Sequence, residues 1–302
     1  MTSVCRVLAS KMNSRIKNAY APRTWKEYKR MFLAFLTFCT FIKIDIALAQ
    51  VVHITLFMEF LGRNQFTVSA IRNYLAGIVM YHKWLGLSYE KFYHCRITFM
   101  LRALDKSIYK KPIFKGVFEV EDIRNILQRC HTYPFAQIYK TLYIFAFLGF
   151  LRISNLVPTS RNTFNIMKHL CRGDVLINEK NVIIVIKWSK TLQNSQEGSY
   201  IILPRLKDQQ MCPAKKFQML EKLHPLSTDS PCFASKIFIA TERTVRQHLK
   251  AILIDLQFNT DQFSFHKFRK SGAILADKLN VELNDIKRHG TWRSNAVQLY
   301  CG

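Results

Sequence analysis

The sequence predicts a mainly α-helical fold with a small β-sheet, an α+β arrangement in which an all-helical N-terminal region precedes a mixed C-terminal one. Three observations carry this. Apolar residues recur at helical spacing through the first hundred residues. Strongly β-prone residues are confined to two short runs, at 182–188 and 200–203. A lysine-rich stretch broken by Pro112 and Gly116 separates the two regions. With 302 residues, 49% of them apolar, the chain can build two cores and is too apolar to be disordered over most of its length.

Each element follows in order. Ala21-Pro22-Arg23-Thr24 opens the first helix, with Thr24 as N-cap and Glu27 three residues on, a capping-box pattern. Trp25, Tyr28, Phe32, Phe35, Cys39 and Ile42 follow on one face, with Lys26, Lys29 and Arg30 on the other. A second helix covers 54–61 and ends at Gly62. A third covers 69–84, turns Ile71, Leu75 and Ile78 inward and closes at Gly86, and a fourth covers 90–104. Residues 1–105 therefore read as a helical domain, and 106–116 (Lys-Ser-Ile-Tyr-Lys-Lys-Pro-Ile-Phe-Lys-Gly) as a basic linker. In the second domain, 117–302, helices are expected over 121–130 and 135–150, the latter delivering Arg152 at its end. The two β-prone runs form a hairpin around a polar loop at 189–199, and Lys190 lies where the first strand enters it. Helices then cover 213–223, 241–256, 266–279 and 282–288. The chain holds no internal repeat and no glycine-rich phosphate loop.

Charge narrows the partner. The net charge is +25, and it is spread along the chain: residues 1–110 hold 17 Lys and Arg against 5 Asp and Glu, and residues 111–302 hold 28 against 15. A polyanion that spans both domains fits, and double-stranded DNA presents one. On the helical domain the polar faces carry Arg72, Asn73, His82, Lys83 and Arg102, and the linker adds Lys110, Lys111 and Lys115 as backbone contacts. The eight cysteines contain no CxxC pair and no Cys/His set with zinc spacing, so neither metal nor disulfide framework is expected, and a reducing compartment is. Met1 to Lys11 lacks a signal-peptide core, and the longest apolar runs, 31–42 and 142–151, fall short of the roughly 20 residues that span a bilayer. An intracellular protein with no membrane partner and no small-molecule substrate is the expectation.

Reversible DNA cleavage without metal or ATP needs a nucleophile that becomes attached to phosphorus, cations for the non-bridging oxygens, an acid for the departing 5′ oxygen and a group that orients or deprotonates the nucleophile. Tyrosine suits the first role. Arginine suits the second because its planar fork grips two oxygens and stays charged. Lysine and histidine suit the remaining two. Arg152, Lys190, His266, Arg269 and Tyr300 supply these parts in chain order, and His266 and Arg269, three apart on an expected helix, project from one face.

Four strings around those residues resemble the tyrosine recombinases, the phage-integrase superfamily, and within it the eukaryotic branch of DIRS-type and Crypton mobile elements. Gly149-Phe150-Leu151-Arg152-Ile153-Ser154-Asn155-Leu156 is similar to the first arginine box. Trp188-Ser189-Lys190-Thr191 resembles the hairpin that carries the catalytic lysine, and Phe265-His266-Lys267-Phe268-Arg269-Lys270-Ser271-Gly272-Ala273 is similar to the His-x-x-Arg box. Gly290-Thr291-Trp292-Arg293-Ser294-Asn295-Ala296, followed by Tyr300, resembles the tyrosine box. The resemblance implies an N-terminal core-binding (SAM-like) domain and a C-terminal catalytic domain that close around DNA. It also implies strand exchange through a 3′-phosphotyrosine and a Holliday junction within a tetramer, no cofactor, and a nuclear location in a eukaryote. A type IB topoisomerase uses similar chemistry; the short N-terminal domain and the Trp292 box argue against it.

Three departures from the family pattern stand out. Asn155 occupies a position often held by an acid. The residue nine before the tyrosine, usually His or Trp, is Thr291 here; Trp292 is the first candidate for that role because its indole N–H can donate to a phosphate oxygen, with His289 and Thr291 as alternates. The chain also stops two residues past Tyr300, where the family usually continues into a helix that docks on a neighbouring protomer, so a fragment, or a decayed element that binds DNA without recombining it, is the alternative expectation.

Overall fold

The computed structural model describes residues 3–108, 116–187, 199–292 and 297–298. The chain divides into two compact units, Met1–Pro112 and Ile113–Gly302.

The first unit is entirely helical among its described residues: α1 (Ser3–Lys17), α2 (Pro22–Phe41), α3 (Val51–Arg63), α4 (Val68–Leu85) and α5 (Cys95–Ser107). Helix α2 begins earlier than its sequence suggests. Ala21 is the N-cap and Pro22 occupies the first turn, where a missing N–H costs nothing, so Thr24 does not cap; its backbone N–H donates to the Ala21 carbonyl. Gly62 lies inside α3 rather than ending it. Thr67 caps α4 through its side chain and Gly86 closes that helix in the left-handed region at φ 69°. The expected fourth helix splits into a 3-10 turn at Glu90–Tyr93 and α5, because the His94 ring accepts from the Arg96 N–H and starts a new helix. Phe35, Cys39, Ile54, Phe57, Met58, Ile71 and Ile78 form the core.

His82 corrects the reading of the α4 polar face. It is fully buried among Phe32, Phe35 and Phe92, and its Nδ1 bonds the Ile78 carbonyl at 2.9 Å. Burial lowers its pKa below the ordinary histidine value, so it is held neutral in the core and offers no DNA contact. Arg72, Asn73, Lys83 and Arg102 are exposed as expected. Arg72 and Lys83, eleven residues apart, share one side of α4.

The second unit is built on α7 (Ala136–Leu148), whose side chains from Ile138 to Phe147 are all buried. Helices α6 (Val120–Arg129), α9 (Pro213–Leu223), α10 (Glu242–Asp255) and α11 (His266–Lys278) surround it, with short α8 (Ile153–Leu156) and α12 (Leu283–His289) beside its C-terminal end. The antiparallel sheet has strand order β1 (Val175–Ile177), β2 (Asn181–Ile186), β3 (Ser199–Pro204). Val182 pairs with Leu203 and Ile184 with Ile201; all four side chains face the core, and Tyr200 and Ile202 face away. The first strand, β1, is absent from the sequence reading; three residues are too few to display a period of two. No helix among the described residues is long and apolar enough to cross a membrane.

Candidate functional site

The site forms where three turns meet: the α7–α8 connection, the start of α11 and the turn after α12. Arg152 immediately precedes α8, and its backbone N–H donates to Asn155 Oδ1 at 3.1 Å. Asn155 is buried, so the residue in place of an acid fixes the arginine's backbone through its amide oxygen. His266 is the first residue of α11 and Arg269 follows one turn later on the same face.

Arg269 is 2% exposed, although the sequence places it in a basic, polar string. Its Nη1 donates to the Phe150 carbonyl and its Nη2 to the Gly290 carbonyl at 2.8 Å, while the Trp292 ring lies 3.8 Å over its guanidinium carbon. One side chain thus joins the turn carrying Arg152, the helix carrying His266 and the turn carrying Trp292. Two non-glycine residues next to these contacts adopt the left-handed region, Phe150 at φ 48° and Thr291 at φ 54°. For Thr291, a β-branched residue, that conformation is costly, and such strain gathers where backbone groups must be aimed. Gly290 is required: a Cβ there would meet the Trp292 ring at 1.7 Å. Beneath the site, Phe150, Ala273, Ile286, Trp292 and Val297 make a small apolar cluster of their own.

His266 is exposed to solvent at one edge, and its pKa is lowered first by burial of the rest of the ring and then by the positive charges of Arg269, Arg152 and Lys267. The structure therefore brings Arg152, His266 and Arg269 to one place, with Trp292 stacked on the last. His289 turns aside from it: its Nε2 donates to the Leu148 carbonyl at 2.8 Å, its ring meets the edge of Phe150, and burial followed by Arg269 lowers its pKa. Thr291 is half-buried and serves the turn through its backbone. Lys190 and Tyr300 lie outside the described residues, as do Lys110, Lys111 and Lys115.

The sequence reading missed two features. Lys187, the residue after β2, pairs with Asp174 at 2.7 Å. Arg243, Arg246, Gln247 and Lys250 form an exposed polar stripe on α10; their i, i+3, i+4, i+7 spacing was the available signal.

No family model matches the chain, and no curated protein sequence does. Solved structures do. A lambda integrase dimer bound to a COC′ core site is similar over 98% of this chain and 76% of its own, at 13% identity and a TM-score of 0.62. The fold is that of the tyrosine recombinases. An XerH site-specific recombinase bound to difH substrate matches over 93% of this chain and 75% of its own at 15% identity and a TM-score of 0.58. The Tn1549 transposon integrase, in complex with circular intermediate DNA, matches over 84% and 81% at 11% identity and the same TM-score. At these identities the likeness is one of fold alone.

Proposed function

We propose that the chain is a site-specific DNA recombinase or mobile-element integrase that cleaves and rejoins strands through Tyr300. The observation that carries this reading is the convergence of Arg152, His266 and Arg269 in the tyrosine-recombinase fold, with His266 the exposed member of the three. In the proposed step the Tyr300 phenolic oxygen attacks the scissile phosphorus, the bond to the 5′ oxygen breaks, and a 3′-phosphotyrosine forms; religation reverses it. Arg152 and Arg269 hold the non-bridging oxygens. His266, its pKa lowered first by burial and then by the nearby positive charges, accepts the phenol proton, and Lys190 protonates the departing 5′ oxygen. Trp292 positions Arg269 by covering its face. No metal or ATP enters this scheme.

The substrate is double-stranded DNA. Arg72 and Lys83 on α4, the lysines of 106–116 and the stripe on α10 supply phosphate and groove contacts. Assembly follows the structural neighbours, among which lambda integrase is a dimer on core-site DNA and a tetramer on a Holliday junction. The string 290–296 supports kinship with DIRS-type and Crypton elements, and with it a nuclear location.

A duplex with a nick close to the cut site traps the intermediate. Wild type is expected to leave a covalent protein–DNA adduct on a denaturing gel, and Tyr300→Phe none. A second reading, DNA binding without cleavage, is favoured by the burial of Arg269 under Trp292, and binding with no adduct would establish it.

A further inference from the structure

The helical unit holds a pocket that the chemistry above does not use. It is an open cleft of about 470 Å³ whose lining includes Asn18, Trp25, Lys26, Lys29, Tyr81 and Trp84, a volume within the range of ligand sites. Helix α2 contributes Trp25 and the two lysines, and the C-terminal end of α4 contributes Tyr81 and Trp84. The Trp25 and Trp84 rings are 4.9 Å apart and inclined at 60°, and Tyr20 meets Trp25 edge-on at 5.6 Å. Phe32, further along the same stripe of α2, is 6% exposed and belongs to the core, whereas Trp25, Tyr81 and Trp84 are half-buried.

Charge selects the ligand. Lys26 and Lys29 are exposed at the rim, and none of the described lining residues is a carboxylate. Glu27, the acid between them, is bound to Arg30 at 3.0 Å. An aromatic cage for a quaternary ammonium draws on the negative ring faces; two lysines in the wall oppose such a cation. A flat aromatic ligand joined to phosphate meets both features. We infer that this pocket takes an unpaired base of single-stranded DNA. The base stacks on the Trp84 ring with Trp25 meeting it at an angle, adjoining phosphates lie on Lys26 and Lys29, and the Asn18 amide offers a donor and an acceptor to the base edge. Strand cleavage and exchange expose such bases. The inference rests on the nucleic-acid reading but not on Tyr300.

The test uses the full chain, a short oligothymidylate, an abasic strand of the same length and a duplex, with binding read by fluorescence anisotropy. The base-bearing strand is expected to bind on the order of 10-fold more tightly than the abasic one, the size of one stacked base. Trp84→Ala removes that preference, Trp84→Phe restores part of it, and both leave duplex affinity unchanged. Lys26→Glu with Lys29→Glu, both at exposed positions that the core does not need, weakens single-strand binding and guards against a folding defect in the tryptophan variant. Equal affinity for the two strands, a parallel loss of duplex binding in Trp84→Ala, or displacement of the strand by tetramethylammonium would overturn the inference. Failure of strand and duplex alike would overturn the nucleic-acid reading with it.

Discussion

Arg269 has two duties that an alanine substitution cannot separate by activity alone. Removing it strands the buried Phe150 and Gly290 carbonyls, at about 1–3 kcal/mol each, and uncovers one face of Trp292. Arg269→Ala is therefore expected to lower the urea midpoint as well as cleavage. Arg152 is half-exposed; Arg152→Ala should leave the midpoint nearly unchanged and slow single-turnover cleavage by roughly 10²–10³-fold, the usual effect of deleting one donor to a developing oxyanion. A loss of stability in Arg152→Ala as large as that in Arg269→Ala would make Arg152 a structural residue instead.

His248 gives an independent residue-scale prediction. It is buried against Tyr139 with Nδ1 bonded to the Tyr143 hydroxyl at 2.7 Å, and burial lowers its pKa to about 4. The unfolded chain takes up that proton near pH 6.5, the folded one only near 4. Its contribution is complete above about pH 6.5 and declines as pH falls toward 4, by up to about 3 kcal/mol. Urea midpoints across that window should fall with pH, and His248→Gln should flatten the decline; an unchanged slope would mean the ring is protonated in the fold. The motif residues were visible in sequence because each sits in a local string. The burial of Arg269, its carbonyl partners and the interior position of His82 depend on residues far away in the chain, and no local string encodes them.

At the level of elements, the site depends on how closely α11 approaches α7. A Cβ on Gly272 would meet the Phe147 carbonyl oxygen at 2.1 Å and the Phe150 ring at 2.7 Å. The backbone atom cannot move aside as a side chain can, so Gly272→Ala is expected to cost about 1–3 kcal/mol and, by shifting the helix that carries His266 and Arg269, to reduce cleavage while sparing duplex binding. Thermal unfolding and adduct yield check both halves. Periodicity located α9 and α10 to within about a residue because each buries a clear apolar face. It missed α1, whose Val7, Leu8, Met12 and Ile16 remain exposed and signal no core. It placed the start of α2 too late because Thr24 and Glu27 imitate a capping box that Pro22 pre-empts.

For the whole molecule, the charge of +25 makes a prediction about salt. If six to ten phosphates are neutralised, duplex affinity should drop about 10³- to 10⁵-fold between 50 and 200 mM salt, with log K linear in log salt. A flat response would place recognition elsewhere than on the phosphates. The basic balance was legible from composition alone. The small sheet was legible only through β2 and β3, the strands long enough to alternate.

The most direct test of the central claim is to digest the trapped protein–DNA adduct and locate the modified residue by mass spectrometry. The proposed mechanism predicts a single peptide in which Tyr300 carries a 3′-phosphoryl nucleotide. Attachment at any other residue, or through a 5′ phosphate, would contradict it.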